Sequence, residues 1–271
     1  MSLPLLAIAT RYCECHILAV EYQKTLLRTA KNCQRFQSVN VFLRSRLETV
    51  RPITVSNDRA MLLILLRWAY DEHLIEEYPR GIAKIKASRE PTRAWTLEQC
   101  WTAVKCSRNW RGISFRSGAD KGDFLECWLR LGYATGARYS DLMKLSRRHL
   151  EGSRLYYSQN KTGSPINAVL DDDAMAAVNA MLARSPDGRI LGWACQKRWA
   201  MRLMKKLLVE CGLDGSSKWL RRSAATHVEQ KQKGAARLFL GHKTNGLAER
   251  FYVDWGQVKS DIPSPPRLVE Q

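Results

Sequence analysis

The chain has 271 residues and a mass of 31.1 kDa; 45% of them are hydrophobic and 9% aromatic, which suits one large or two smaller ordered domains and excludes an intrinsically disordered chain. Lys and Arg number 44 against 26 Asp and Glu, giving a formal charge of +18 and a pI of about 9.8, a balance that points to a polyanionic partner such as nucleic acid. The uninterrupted apolar runs, residues 3–9 and 60–66, fall far short of the roughly 20 residues a bilayer-spanning helix needs, and no basic flank precedes the first, so neither a membrane span nor a signal peptide is expected.

Eight cysteines (Cys13, Cys15, Cys33, Cys100, Cys106, Cys127, Cys195 and Cys211) show no pairing rhythm, so buried thiols in a reducing cytoplasm are expected rather than disulfides. The stretch Cys13-Glu14-Cys15-His16 has the residue types of a metal site, but no second Cys/His pair follows at zinc-finger spacing, and no metal is expected.

Residues 1–86 show helical periodicity through 16–36, 39–47 and 54–73, which predicts a small helical bundle. Its third helix is expected to open at Thr54 or Ser56, either of which can cap it, and to be left by Pro79. Residues 87–92, within ASREPTR, read as a linker, and a new capped helix is expected after it at Thr96, with Glu98 in its first turn. Residues 1–90 hold 14 basic side chains against 9 acidic, 91–256 hold 28 against 15, and 257–271 hold 2 against 2. Both folded parts are therefore basic, as two domains gripping one duplex would be. The tail, with Ile262-Pro263-Ser264-Pro265-Pro266, is expected to be extended and able to dock on a neighbouring protomer.

Within the second part, residues 123–133 are apolar at helical spacing, Thr135-Gly136-Ala137 breaks that pattern, and a further helix is expected over 138–145. Residues 154–158 and 166–170 flank the turn Asn160-Lys161-Thr162-Gly163-Ser164-Pro165 and read as a β-hairpin. Asp171 to Asp173 cap an Ala-rich helix reaching Leu182; helices are then expected over 197–209, 220–232 and 235–240, the last stopped by Gly241. The class is mainly α (α+β), mostly helical with a small antiparallel β-sheet.

Tyr252 is the only tyrosine after Tyr157, and it lies ten positions after His242 in LGHKTNGLAERFY. A phenol of ordinary pKa, about 10, attacks phosphorus poorly, so a tyrosine nucleophile needs cations around its phosphate. Such cations are present upstream. Arg138 opens a helix in TGARYSDLMKL with Asp141 one turn on, where a carboxylate can fix the guanidinium for bidentate phosphate contact. The same pattern equally fits an ordinary helix start with a local Asp cap. Lys161 at the hairpin tip can reach a DNA groove and protonate a leaving 5′ oxygen, although a solvated turn lysine is the commoner meaning of such a residue. Lys218 and Arg221, three apart in KWLRR, can face one phosphate together, or make non-specific backbone contacts from a basic helix start. His242, after a helix-stopping glycine, is held at a chain reversal. On spacing alone Tyr252 also fits a core aromatic beside Phe251 and Trp255.

Taken together and in this order, TGARYSDLMKL, NKTG, KWLRRSAATH and LGHKTNGLAERFY, preceded by a helical domain, resemble the tyrosine recombinases, the phage integrase family. The resemblance spans nearly the whole chain to Tyr252. It implies a helical, SAM-like core-binding DNA-binding domain over 1–86, a linker over 87–92, a catalytic domain over 93–256 and a tail over 257–271, the two domains forming a clamp on double-stranded DNA. It implies that Tyr252 attacks the scissile phosphate to leave a 3′-phosphotyrosine and a free 5′ hydroxyl. Arg138 and Arg221 would neutralise the phosphate oxygens, His242 would add a hydrogen bond, Lys161 would be the general acid, and Asp141 would support. Lys218 stands where the family usually carries His, as proton-transfer group or phosphate ligand. No cofactor or metal is required.

The resulting expectation is a site-specific recombinase of a phage or mobile element without a separate arm-binding domain. It would integrate or excise that element as a homotetramer on two recombination sites, with an accessory directionality factor as a possible partner. A type IB topoisomerase, with a similar Tyr, Arg, Lys and His set, and a DNA-binding regulator that has lost cleavage are the alternatives.

Overall fold

A computed structural model describes residues 3–88, 90–242 and 251–253. The chain divides into two compact units, Met1–Glu90 and Pro91–Gln271.

The first unit packs four helices, α1 (Leu5–Cys15), α2 (Val20–Cys33), α3 (Val39–Thr49) and α4 (Pro52–Asp71). One core joins Ile8 and Ala9 of α1 to Leu26 and Ala30 of α2 and to Leu65 and Ala69 of α4; a second gathers Cys33, Phe42, Leu43, Val55 and Leu62. The apolar run at residues 3–9 runs into α1 from Leu5, with the neighbouring Ile8 and Ala9 buried against α2 and α4. One expectation changes here. Helix α4 opens at Pro52 rather than at Thr54 or Ser56. Proline at a first helical position loses no hydrogen bond and its fixed φ suits the helix, so the start moves upstream of the hydroxyl residues. Cys13 and Cys15 lie in the last turn of α1, and His16 just beyond it stacks on Tyr12 at 4.0 Å with Nδ1 2.9 Å from the Tyr12 carbonyl. Among the described residues no group of three or more His, Cys, Asp or Glu is arranged to hold a metal, and no helix is long and apolar enough to cross a membrane.

The second unit is built round α6 (Lys121–Thr135), which buries Phe124, Leu125, Cys127, Trp128, Leu129 and Leu131 and so is apolar over most of its circumference. Against it pack α5 (Leu97–Ser107), α8 (Asp172–Ala183) and α10 (Ser217–Lys231). Thr96 and Gln99 form a reciprocal capping box at α5, and Asp171 caps α8 by accepting from Ala174 N–H at 2.7 Å. The one buried carboxylate of α6, Glu126, is met by Arg111 at 2.7 Å and Arg130 at 3.0 Å.

Three antiparallel strands in the order β1 (Leu150–Glu151), β2 (Arg154–Ser158) and β3 (Pro165–Val169) form the sheet. Arg154 pairs with Val169 and Ser158 with Pro165, which leaves Leu155, Tyr157, Ile166 and Ala168 on the buried face. The helix expected over 138–145 is reduced to one turn, α7 (Tyr139–Leu142). Beyond Leu142 the chain tightens, with Lys144 N–H donating to the Asp141 carbonyl three residues back at 2.9 Å, and the Leu145 carbonyl then accepts from Ile190 N–H at 2.8 Å. Helices α9 (Lys197–Glu210), α10 and α11 (Ala235–Phe239) complete the unit; α10 starts a turn earlier than expected, which places Lys218 on the helix. The tail over 257–271 and residues 243–250 lie outside the described residues.

Candidate active site

The site begins where α6 ends. Gly136 takes φ +58°, and a Cβ there would meet Phe239 at 2.6 Å, so only glycine permits both the left-handed turn and the close approach of α11. That turn delivers Arg138 as the residue capping α7, in extended conformation (φ −71°, ψ 152°). Because Arg138 stands outside the helix, it is not in register with Asp141. Its Nη1 donates instead to Gln159 Oε1. Asp141, 3% exposed, accepts from the Asn160 N–H at 3.0 Å and so holds the hairpin turn. The expected Arg138–Asp141 pairing is absent among the described residues; the acid supports the turn next to Lys161, not the arginine.

Arg221 lies on α10 and is 6% exposed. Its Nη1 donates to the Gly136 carbonyl, and its Nη2 reaches the Leu240 carbonyl at 3.5 Å and His242 Nε2 at 3.4 Å. Burial and then the charge of Arg138 disfavour its cationic form, while Tyr252 and Tyr157 favour it.

His242 is placed by a Schellman turn at the end of α11: Gly241 N–H donates to Leu238 O, His242 N–H donates to Arg237 O, both at 3.0 Å, and Gly241 has φ +64°. The start of the same short helix is held by Glu229 of α10, whose two oxygens accept from Gly234 N–H at 2.6 Å and Ala236 N–H at 3.1 Å. Since Glu229 and Ala236 are buried, Glu229→Ala takes the carboxylate from an enclosed N–H as well as from the exposed Gly234 N–H, and is expected to lower unfolding free energy by about 2 kcal/mol, read by urea denaturation.

Tyr252 returns to this frame in the same chain. Val253, 1% exposed, anchors the segment in a core with Ala225, Ala236 and Leu240, and the Thr226 hydroxyl donates to the Tyr252 carbonyl at 3.5 Å. Val253 is the buried member of that core, and the half-buried Tyr252 ring packs at its edge, 4.8 Å from the Arg221 guanidinium and 5.1 Å from the His242 ring. Burial by itself raises the phenol's pKa, but the charges of Arg221 and Arg138, together with hydrogen bonding to both, outweigh it and hold the group below the ordinary tyrosine value. Tyr157, on the buried face of the sheet, goes the other way: burial and then Asp141 push it up to about 12.

The structure therefore brings Arg138, Arg221, His242 and Tyr252 into one cluster. Lys161 sits on the exposed hairpin turn, one residue beyond the Asn160 that Asp141 holds, and Lys218 is exposed in the first turn of α10; neither has a described contact with the four. One residue of the cluster escaped sequence reasoning. Gln159 is 1% exposed and bonded to Arg138, Thr162 and the Leu240 carbonyl. Its only signal in the sequence is a polar residue directly after a strand, which fits any turn.

No protein-family model matches the chain, and no curated protein matches it in sequence. Among solved structures it is similar to lambda integrase as a dimer bound to a COC′ core site, at 16% identity and TM-score 0.78 over 97% of this chain and 81% of that one. It is also similar to lambda integrase as a tetramer bound to a Holliday junction, at 17% and 0.75 over 94% and 79%. The Tn1549 transposon integrase in complex with a circular intermediate DNA matches at 12% and 0.69, over 90% of this chain and 93% of that one. The XerH site-specific recombinase bound to a palindromic difH substrate matches at 14% and 0.68, over 89% and 77%.

Proposed function

We propose that this chain, which has the fold of the tyrosine recombinases, cleaves and rejoins double-stranded DNA at specific sites through a covalent tyrosyl intermediate. The observation that carries the reading is the seating of a single phenol against Arg221 and His242, with its pKa lowered by two guanidinium groups. Cations that lower the phenol's pKa in the free protein are also placed to neutralise the charge that develops on a phosphate during attack.

In this reading the Tyr252 oxygen attacks the scissile phosphorus and the bond to the 5′ oxygen breaks. Lys161, on its exposed turn, gives that oxygen a proton, leaving a 3′-phosphotyrosine and a 5′ hydroxyl. Arg138 and Arg221 face the non-bridging oxygens, and His242 donates a hydrogen bond to one of them. Asp141 keeps the Lys161 turn in place through Asn160. Religation is the reverse attack by a 5′ hydroxyl of the same or a partner strand, so the phosphotyrosine conserves the bond energy and neither nucleotide nor metal enters the balance. The unit Met1–Glu90 acts as the core-binding domain and the following unit as the catalytic domain. The working assembly is a homotetramer on two sites, with an accessory factor setting direction, and the substrate is a phage or other mobile element recombined in the cytoplasm.

Lys218 carries a graded test. Lys218→His is expected to hold single-turnover cleavage within about 10-fold of wild type and Lys218→Ala to lose about 10²-fold. Equal losses would remove any proton-transfer role.

The function is tested by trapping on nicked duplexes tiled across the flanks of the gene's own locus, where loss of the short cleaved fragment prevents religation. A denaturation-resistant protein–DNA adduct on a subset of duplexes is expected. Indiscriminate relaxation of supercoiled plasmid would instead make this a type IB topoisomerase, and site-specific binding without adduct a regulator.

A further inference from the structure

Gln159 is where three parts of the proposed site meet. Its Oε1 accepts from Arg138 and, at 3.1 Å, from the Thr162 hydroxyl, while its Nε2 donates to the Leu240 carbonyl at 2.7 Å. That carbonyl also receives Arg221 at 3.5 Å and lies two residues before His242. Its backbone closes the turn bearing Lys161: Gln159 N–H donates to Ser164 O at 2.9 Å, and Gly163 N–H donates to Gln159 O at 2.8 Å.

A primary amide is the side chain this position demands. Turned round, it would set its NH2 against a guanidinium and its oxygen against the Leu240 carbonyl. A carboxylate would keep hold of Arg138 but cancel the charge the phosphate needs, and would meet the Leu240 carbonyl with no proton between them. A hydrocarbon would leave Arg138 without its anchor and an enclosed carbonyl short of a donor. Only a neutral group that accepts on one side and donates on the other fixes Arg138 while leaving it cationic.

Resting on the functional reading above, we propose that Gln159 is a positioning residue that aims Arg138 at the scissile phosphate and ties the Lys161 turn to the His242 turn. It touches no reacting atom. Its effect passes through the charge and direction of Arg138, which distinguishes it from a residue that merely holds the hairpin together.

The test uses a nicked duplex on which the wild-type chain forms its adduct, prepared with a phosphodiester or with a methylphosphonate at the scissile position. The methylphosphonate lacks one charged oxygen and asks less of the arginine pair. Gln159→Glu and Gln159→Met are each expected to lose about 10²-fold in adduct formation on the phosphodiester while binding the duplex within a few-fold of wild type. On the methylphosphonate, both are expected to come within about 10-fold of wild type, as Arg138→Ala should.

Wild-type rates for both variants on the phosphodiester would overturn the proposal. So would equal losses on the two substrates, or melting of both variants below the assay temperature, since either result makes Gln159 purely structural. If Gln159→Met alone unfolds, Gln159→Glu, of nearly the same shape, carries the comparison. No adduct from the wild-type chain on any duplex overturns the functional reading and this inference with it, whereas an adduct that is indifferent to Gln159 overturns the inference alone.

Discussion

Tyr252→Phe is expected to bring adduct formation on nicked DNA to background, a loss of roughly 10⁴-fold or more, because the substitution removes the oxygen that forms the phosphoester in the proposed reaction. The same variant is expected to bind the duplex within a few-fold of wild type and to melt at nearly the same temperature. Val253 rather than Tyr252 anchors the segment, so the lost hydroxyl takes no apolar contact with it. Separating the adduct from free protein under denaturing conditions reads the first expectation, and thermal unfolding reads the second. A persisting adduct would move the nucleophile elsewhere in the chain.

Arg221 is expected to show the second largest effect, on two readouts at once. Arg221→Ala removes the donor to the Gly136 carbonyl and one donor to the Leu240 carbonyl, so about 1–3 kcal/mol of stability should be lost as well as about 10³-fold in cleavage. Arg221→Lys retains the charge but not the planar fork that serves the Gly136 carbonyl, the Leu240 carbonyl and His242 together, and should still lose about 10²-fold. The pH profile supplies the sign. Cleavage that depends on the Tyr252 phenolate rises with pH and levels off at a lowered phenol pKa. Taking away the Arg221 cation removes the largest of the influences that lower it, and the inflection should move upward. An unchanged inflection in Arg221→Ala would separate the guanidinium from activation of the phenol.

Much of the helical framework was readable from periodicity and caps, because those signals are local. Thr96 with Gln99 and Asp171 with Ala174 N–H are caps whose partners lie three residues away. The hairpin could be placed to within a residue, since β2 and β3 alternate strictly between buried and exposed positions round a turn rich in glycine and polar residues. Helix limits set by distant partners were not readable. The segment after the single turn of α7 is tied to Ile190 through the Leu145 carbonyl, and the start of α1 reads as a bare apolar run until Leu26, Leu65 and Ala69 are set against it.

At the site, residue types alone left each candidate a plainer reading, and it was the resemblance of the ordered motifs to a known family that nominated Arg138, Lys161, Lys218, Arg221, His242 and Tyr252 together. The partners of each were beyond reach. Arg138 and Asp141 are three apart, and the helical rule for that spacing pairs them, yet the Gly136 turn sets Arg138 outside α7 and gives it to Gln159. The sequence alone determined a basic, mainly helical chain carrying an ordered set of phosphate-directed side chains, because composition, periodicity and capping act within a few residues. Tertiary structure alone decided that Val253 rather than Tyr252 fills the core, that Asp141 serves the hairpin, and that Gln159 joins the pieces. Each of those outcomes joins groups far apart in the chain, which packing alone brings together; once it does, enclosed polar atoms take whichever partner lies within hydrogen-bonding distance.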